Sequence, residues 1–138
     1  MCNIKLIMEN NVLKMIKYLY YFSLISLLII YFFPGSLIGY ILYGDFGRQP
    51  DFIPNPIGSS INHTLAFFYL SILSLIRHMK EKSFSQTKFF LISLSILLEL
   101  SHYFIPNRSF EFLDLFGNLI GTLIAIIVII SYKKYKEI

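Results

Sequence analysis

Residues 98–121, LELSHYFIPNRSFEFLDLFGNLIG, join two long apolar runs and yet hold Glu99, His102, Arg108, Glu111, Asp114 and Asn118. At about 100° per residue, Ser95, Glu99 and His102 recur at i, i+4 and i+7 on one helical face. Asp114, Asn118 and Gly121 repeat that spacing beyond the short Ile105-Pro106-Asn107 turn. Two helices that meet at a tight turn therefore each carry a polar stripe. Burying both stripes against each other keeps their charges out of lipid.

The rest of the chain supports a membrane setting. Of its 138 residues, 56% are hydrophobic and 14% charged, against about 25% charged in soluble domains. One domain covering 1–138 is expected. The net charge of +4 comes from short basic clusters beside apolar runs, with no basic stripe, so nucleic acid is not an expected partner. The single cysteine, Cys2, excludes an intramolecular disulfide and a cysteine-based metal site.

A bilayer core of about 30 Å needs roughly 20 apolar residues per helix. Four runs qualify, at about 15–33, 61–77, 87–105 and 114–132. The first is followed by Phe-Pro-Gly, not by a small-residue cleavage site, and reads as a retained helix, with Met8 and Met15 as alternative starts. The piece 36–43, SLIGYILY, is too short to span and is expected in the interface. Residues 44–60 read as an ordered loop without regular structure.

Ten of the twelve Lys and Arg residues lie in the N-terminus, the 77–88 connection and the C-terminus. The positive-inside rule then places both termini in the cytoplasm and turns the loops at 34–60 and 106–113 outward. Tyr18, Tyr20, Tyr21, Tyr132 and Tyr135 are expected at the inner edge. Tyr31, Tyr40, Tyr43 and Tyr103 are expected at the outer one. The expected fold is all-α, a four-helix transmembrane bundle with a polar cluster at the outer ends of helices 2 to 4.

His63, Glu99, His102, Arg108, Asp114 and Asn118 all reach the outer leaflet in this arrangement. Charge at mid-bilayer costs about 2.5–3.5 kcal/mol, so Glu99 needs a partner, and an Arg108 bridge between Glu99 and Asp114 is expected. Gly117, Gly121 and Ala125 form a small-residue ladder on the Asp114 face, expected to pack helices within the chain, with a homodimer not favoured. His63, Glu99 and His102 are adequate metal ligands. However, the second Glu-x-x-His motif of a di-metal bundle is missing, so no metal or cofactor is expected. Glu99 and His102 are also the catalytic candidates, with Ser59, Ser95 and Ser109 as nucleophiles in name only.

The succession INHTLAFF (61–68), LELSHYFIPNRSF (98–110) and LDLFGNLIG (113–121) resembles the VanZ-like family of small membrane proteins. His63, Glu99, the Pro106/Arg108 turn, and Asp114, Asn118 and Gly121 match its motifs, over roughly residues 59–125. An Asp-Lys pair of the family pattern falls on Ser59 and Ser60, and a glutamine falls on His102. The resemblance implies a bacterial cell-membrane protein associated with low-level resistance to teicoplanin-type glycopeptides. The expected function is binding of a polar or charged group at the outer leaflet: a lipid-linked cell-wall precursor, a phospholipid head group or a lipoglycopeptide. Two rival readings are an intramembrane hydrolase or transferase acting on a lipid-linked substrate, and an assembly or partner-binding subunit.

Overall fold

The computed structural model describes residues 2–48 and 58–136. All regular secondary structure among the described residues is helical: α1 (Cys2–Phe32), α2 (Leu37–Tyr43), α3 (Gly58–Arg77), α4 (Phe84–Ser101), a 3₁₀ turn at His102–Phe104, and α5 (Phe112–Lys136). Three segments are long and apolar enough to cross a membrane: Asn11–Phe32, Phe84–Phe104 and Phe112–Lys136. Their outer faces carry large exposed apolar side chains, among them Phe22, Phe89, Leu97 and Ile127, a burden that lipid relieves and water does not.

The second expected span, α3, is long enough at 20 residues but is not one of those three. Its sequence carries Asn62, His63, Thr64, Ser71 and Ser74 because it is the inner helix: of residues 60–77 only Leu65 and Tyr69 are exposed. Neighbouring helices cover most of its surface, so its side chains need not be apolar.

α5 shows why the two lie so close. Its buried positions run Asp114, Gly117, Asn118, Gly121, Thr122, Ala125, Ile126 and Ile129, the three-four alternation of one helical stripe. A Cβ at Gly117 would come within 2.5 Å of the Ser60 carbonyl oxygen. At Gly121 it would strike the Thr64 carbonyl oxygen and the Phe68 amide nitrogen. The ladder is thus an intramolecular contact in which the α5 backbone lies on the α3 backbone. Below it Leu75, Leu91, Ala125, Ile126 and Ile129 form an apolar layer, and the Ser71 hydroxyl donates to Thr122 Oγ1 at 3.4 Å.

Most of the basic residues lie at the end opposite the polar cluster, Arg108 being an exception. The Arg77 guanidinium at the end of α3 lies over Tyr21 on α1, 5.0 Å from the ring centroid, and Lys133 near the end of α5 lies 4.2 Å from the Phe84 ring that begins α4. The other end holds the close of α1, the start of α3, the close of α4 and the start of α5. Successive long helices therefore run in alternating directions.

α1 is 31 residues long, about 46 Å at 1.5 Å per residue, so it extends well past one bilayer core toward its N-terminus instead of beginning near residue 15. α2 occupies the short apolar piece. The Ser36 side chain accepts from the Gly39 amide at 2.9 Å and Gly44 closes the helix in the left-handed region, as helix caps do. The expected loop is shorter than 44–60, because α3 begins at Gly58; residues 49–57 of that loop lie outside the described residues.

Tyr20 and Tyr31 do not serve as interfacial anchors. Both are buried, Tyr20 against Leu70 and Leu73 and Tyr31 beside Phe67 and Leu98. The expectation rested on position along the helix. Rotation about the helix axis decides instead, and it turns both rings inward.

Candidate functional site

α3, α4 and α5 bring His63, Glu99, His102, Asp114 and Asn118 together, and α1 adds Tyr31. Glu99 and Asn118 are 0% exposed, His102 4%, Asp114 5% and Tyr31 5%. Burying such groups in an apolar interior is costly unless their hydrogen bonds are met.

Glu99 is the hub. Its Oε1 lies 3.3 Å from His102 Nδ1 and accepts from the Glu111 amide at 3.3 Å. Its Oε2 accepts from Asn118 Nδ2 at 3.4 Å and lies 3.8 Å from His63 Nδ1. The Glu111 amide immediately precedes α5, so the carboxylate also faces the positive end of that helix. Asn118 Nδ2 has a second acceptor in the Ser95 carbonyl at 3.4 Å, which orients the amide and turns Oδ1 toward α1 and α3.

Asn118 Oδ1 accepts from the Tyr31 hydroxyl at 2.9 Å. A phenol has one hydrogen to give. The 2.7 Å contact between the Tyr31 oxygen and His63 Nδ1 is then a donation from the imidazole, whose Nδ1 is also 3.1 Å from Asn118 Oδ1. His63 Nε2 points the other way, 3.5 Å from Asp114 Oδ2. Asp114 Oδ1 accepts from the Ser60 hydroxyl at 3.0 Å. Ser60 thus holds the aspartate by a neutral hydrogen bond; the Ser59 side chain lies outside the described residues. Asp114 sits in the first turn of α5 and not at its cap, where the helix dipole still favours its charge.

Tyr31 was not legible as a site residue. Its ring stacks on His102 with centroids 5.1 Å apart and planes 16° apart and meets His63 edge-on at 5.6 Å. A tyrosine near the end of an apolar run carries the same local signal whether it faces head groups or a buried polar cluster.

Arg108 corrects a second expectation. Its Nη2 donates to the Ile30 carbonyl at 2.9 Å and its Nε to the Phe33 carbonyl at 3.5 Å, and among the described residues it makes no ion pair with Glu99 or Asp114. Carbonyls at a helix end lack partners within the helix, and a guanidinium supplies them. The Arg108 amide bonds to the Ile105 carbonyl at 3.3 Å across Pro106 and Asn107. With Asn107 at φ 58°, this is the proline-then-left-handed pattern of a type II turn. Burial holds the Arg108 guanidinium below its ordinary pKa, against the opposing pull of Tyr31, Glu99 and Asp114; it remains a cation.

Replacing Arg108 with alanine is expected to destabilise the protein by ~1–3 kcal/mol, through the loose end of α1. Thermal unfolding of the solubilised protein measures it, and an unchanged midpoint would show that the two carbonyls do not depend on this side chain.

Two of the three serines named as nucleophiles are otherwise engaged, and the side chain of the third, Ser59, lies outside the described residues. Ser95 donates to the Ile92 carbonyl at 2.7 Å, and Ser109 is 3.5 Å from Glu111 Oε1. Among the described residues no group of three or more His, Cys, Asp or Glu side chains is arranged to hold a metal ion. Set beside known proteins, the chain matches no family model, no curated protein and no solved structure.

Proposed function

We propose that this chain is a VanZ-like multi-pass protein of the bacterial cell membrane that receives a polar or charged group at the outer leaflet. α1, α3, α4 and α5 cross the bilayer in this reading, with both termini cytoplasmic. The convergence of His63, Glu99, Asp114 and Asn118 on one another from three helices carries the proposal, because these are the residues that match the family motifs. Intramembrane ionisable groups are costly and tend to mark functional sites. Ten of the twelve lysines and arginines fall in the segments at the opposite end, which supports the orientation.

The resemblance ties the site to teicoplanin-type glycopeptides, with a lipid-linked cell-wall precursor, a phospholipid head group or the lipoglycopeptide itself as the group received. Expression in a glycopeptide-sensitive host is expected to raise teicoplanin tolerance severalfold. Glu99→Gln and Asp114→Asn should return it to the host level at equal amounts of inserted protein. Full tolerance in both variants would remove the cluster from the function, and no tolerance from the unaltered chain would remove the drug link.

A further inference from the structure

The acid and imidazole groups form one continuous series. Asp114 Oδ2 lies 3.5 Å from His63 Nε2, His63 Nδ1 lies 3.8 Å from Glu99 Oε2, and Glu99 Oε1 lies 3.3 Å from His102 Nδ1. The series ends at His102 Nε2, which is buried and has no hydrogen-bond partner among the described residues. An orphaned polar atom in such a place costs free energy, and a phenylalanine could stack on Tyr31 without that cost.

The chemistry of the open position follows from its neighbour. With the Nδ1 hydrogen directed at the Glu99 carboxylate, Nε2 presents a lone pair and accepts. Two carboxylates, Glu99 and Asp114, lie along the series, while the Arg108 guanidinium is held by the carbonyls of Ile30 and Phe33. An acceptor in acidic surroundings of low dielectric favours a cationic donor. His102 is itself 4% exposed, while the next two residues, Tyr103 and Phe104, are 65% and 88% exposed, so the buried imidazole adjoins an exposed stretch of chain.

We propose that His102 Nε2 is a ligand contact that accepts a hydrogen bond from a primary ammonium group at the membrane surface. This deepens, and rests on, the reading of the cluster as a receptor for a polar group. A quaternary ammonium lacks the N–H and is excluded; a phosphate oxygen is an acceptor and does not fit the lone pair.

The test compares thermal unfolding of the full chain in nanodiscs of phosphatidylcholine alone, with phosphatidylethanolamine, with phosphatidylglycerol, and with free ethanolamine added to phosphatidylcholine. Phosphatidylethanolamine is expected to raise the midpoint by about 5 °C. A matching rise with free ethanolamine identifies the ammonium itself as the ligand, and a rise confined to the lipid identifies the membrane-borne head group. His102→Asn, which keeps a donor toward Glu99 and removes Nε2, should lose the rise. His102→Gln, which can place an acceptor near the Nε2 position, should recover part of it. A rise that survives in His102→Asn overturns the assignment, as does a rise with phosphatidylglycerol and none with ethanolamine, which leaves the broader receptor reading standing. No rise under any condition overturns the ammonium assignment, and the teicoplanin-tolerance test then decides the receptor reading separately.

Discussion

Replacing Gly121 with leucine is expected to leave no folded protein in the membrane. Any Cβ at this position meets the carbonyl of Thr64 and the amide of Phe68, which are backbone atoms and cannot turn aside as the end of a flexible side chain could. α3 and α5 would have to separate along their whole contact. The loss would spread to the Ser71–Thr122 hydrogen bond and to the His63–Asp114 contact, since both require the same close approach. Gly121→Ala, one carbon larger, should cost about 2–3 kcal/mol, at the upper end of ordinary overpacking. Leu123 on the exposed side of α5 is the control, where Leu123→Ile should stay within about 0.5 kcal/mol. Denaturant titration of the solubilised variants measures all three. A Gly121→Leu variant that unfolds with wild-type stability would refute the close packing of the two helices.

Glu99→Ala should be the most damaging polar substitution, at about 3–5 kcal/mol, the usual range for removing one partner from a buried pair. It strips an acceptor from His102 Nδ1, from Asn118 Nδ2 and from the Glu111 amide, at a site where Glu99 and Asn118 are fully buried. Glu99→Gln keeps the volume and one acceptor oxygen but sets an amide donor against another donor, at a cost of about 1–3 kcal/mol. That difference is what permits a functional test in the glutamine variant. A double-mutant cycle pairing Glu99→Gln with Asn118→Ala should show non-additivity of 0.5 kcal/mol or more. Strict additivity would mean that the two side chains do not act on each other.

The two large effects fall on different levels of the chain's organisation. Gly121 governs how closely helices approach, while Glu99 governs which buried donors find an acceptor once they have done so. The first sets the second: without the approach of α5 to α3, Asn118 would not reach the Tyr31 hydroxyl and His63 would not reach Asp114.

Much of this was determined by the sequence alone. Hydropathy marked the apolar segments, and residue spacing placed Ser95, Glu99 and His102 on one face and Asp114, Gly117, Asn118, Gly121 and Ala125 on another, all of them buried. Both signals are local, arising within a few turns of one helix. Only the tertiary structure decided the partners. It turned Tyr31 inward to complete the cluster, directed Arg108 to the carbonyls of Ile30 and Phe33, made α3 the sheltered helix, and left His102 Nε2 open. Those outcomes depend on the rotation and depth of helices whose residues lie 32 to 87 positions apart. Periodicity fixes which side of a helix is polar, but hydrogen bonds form only where two separately determined sides come within about 3 Å of each other.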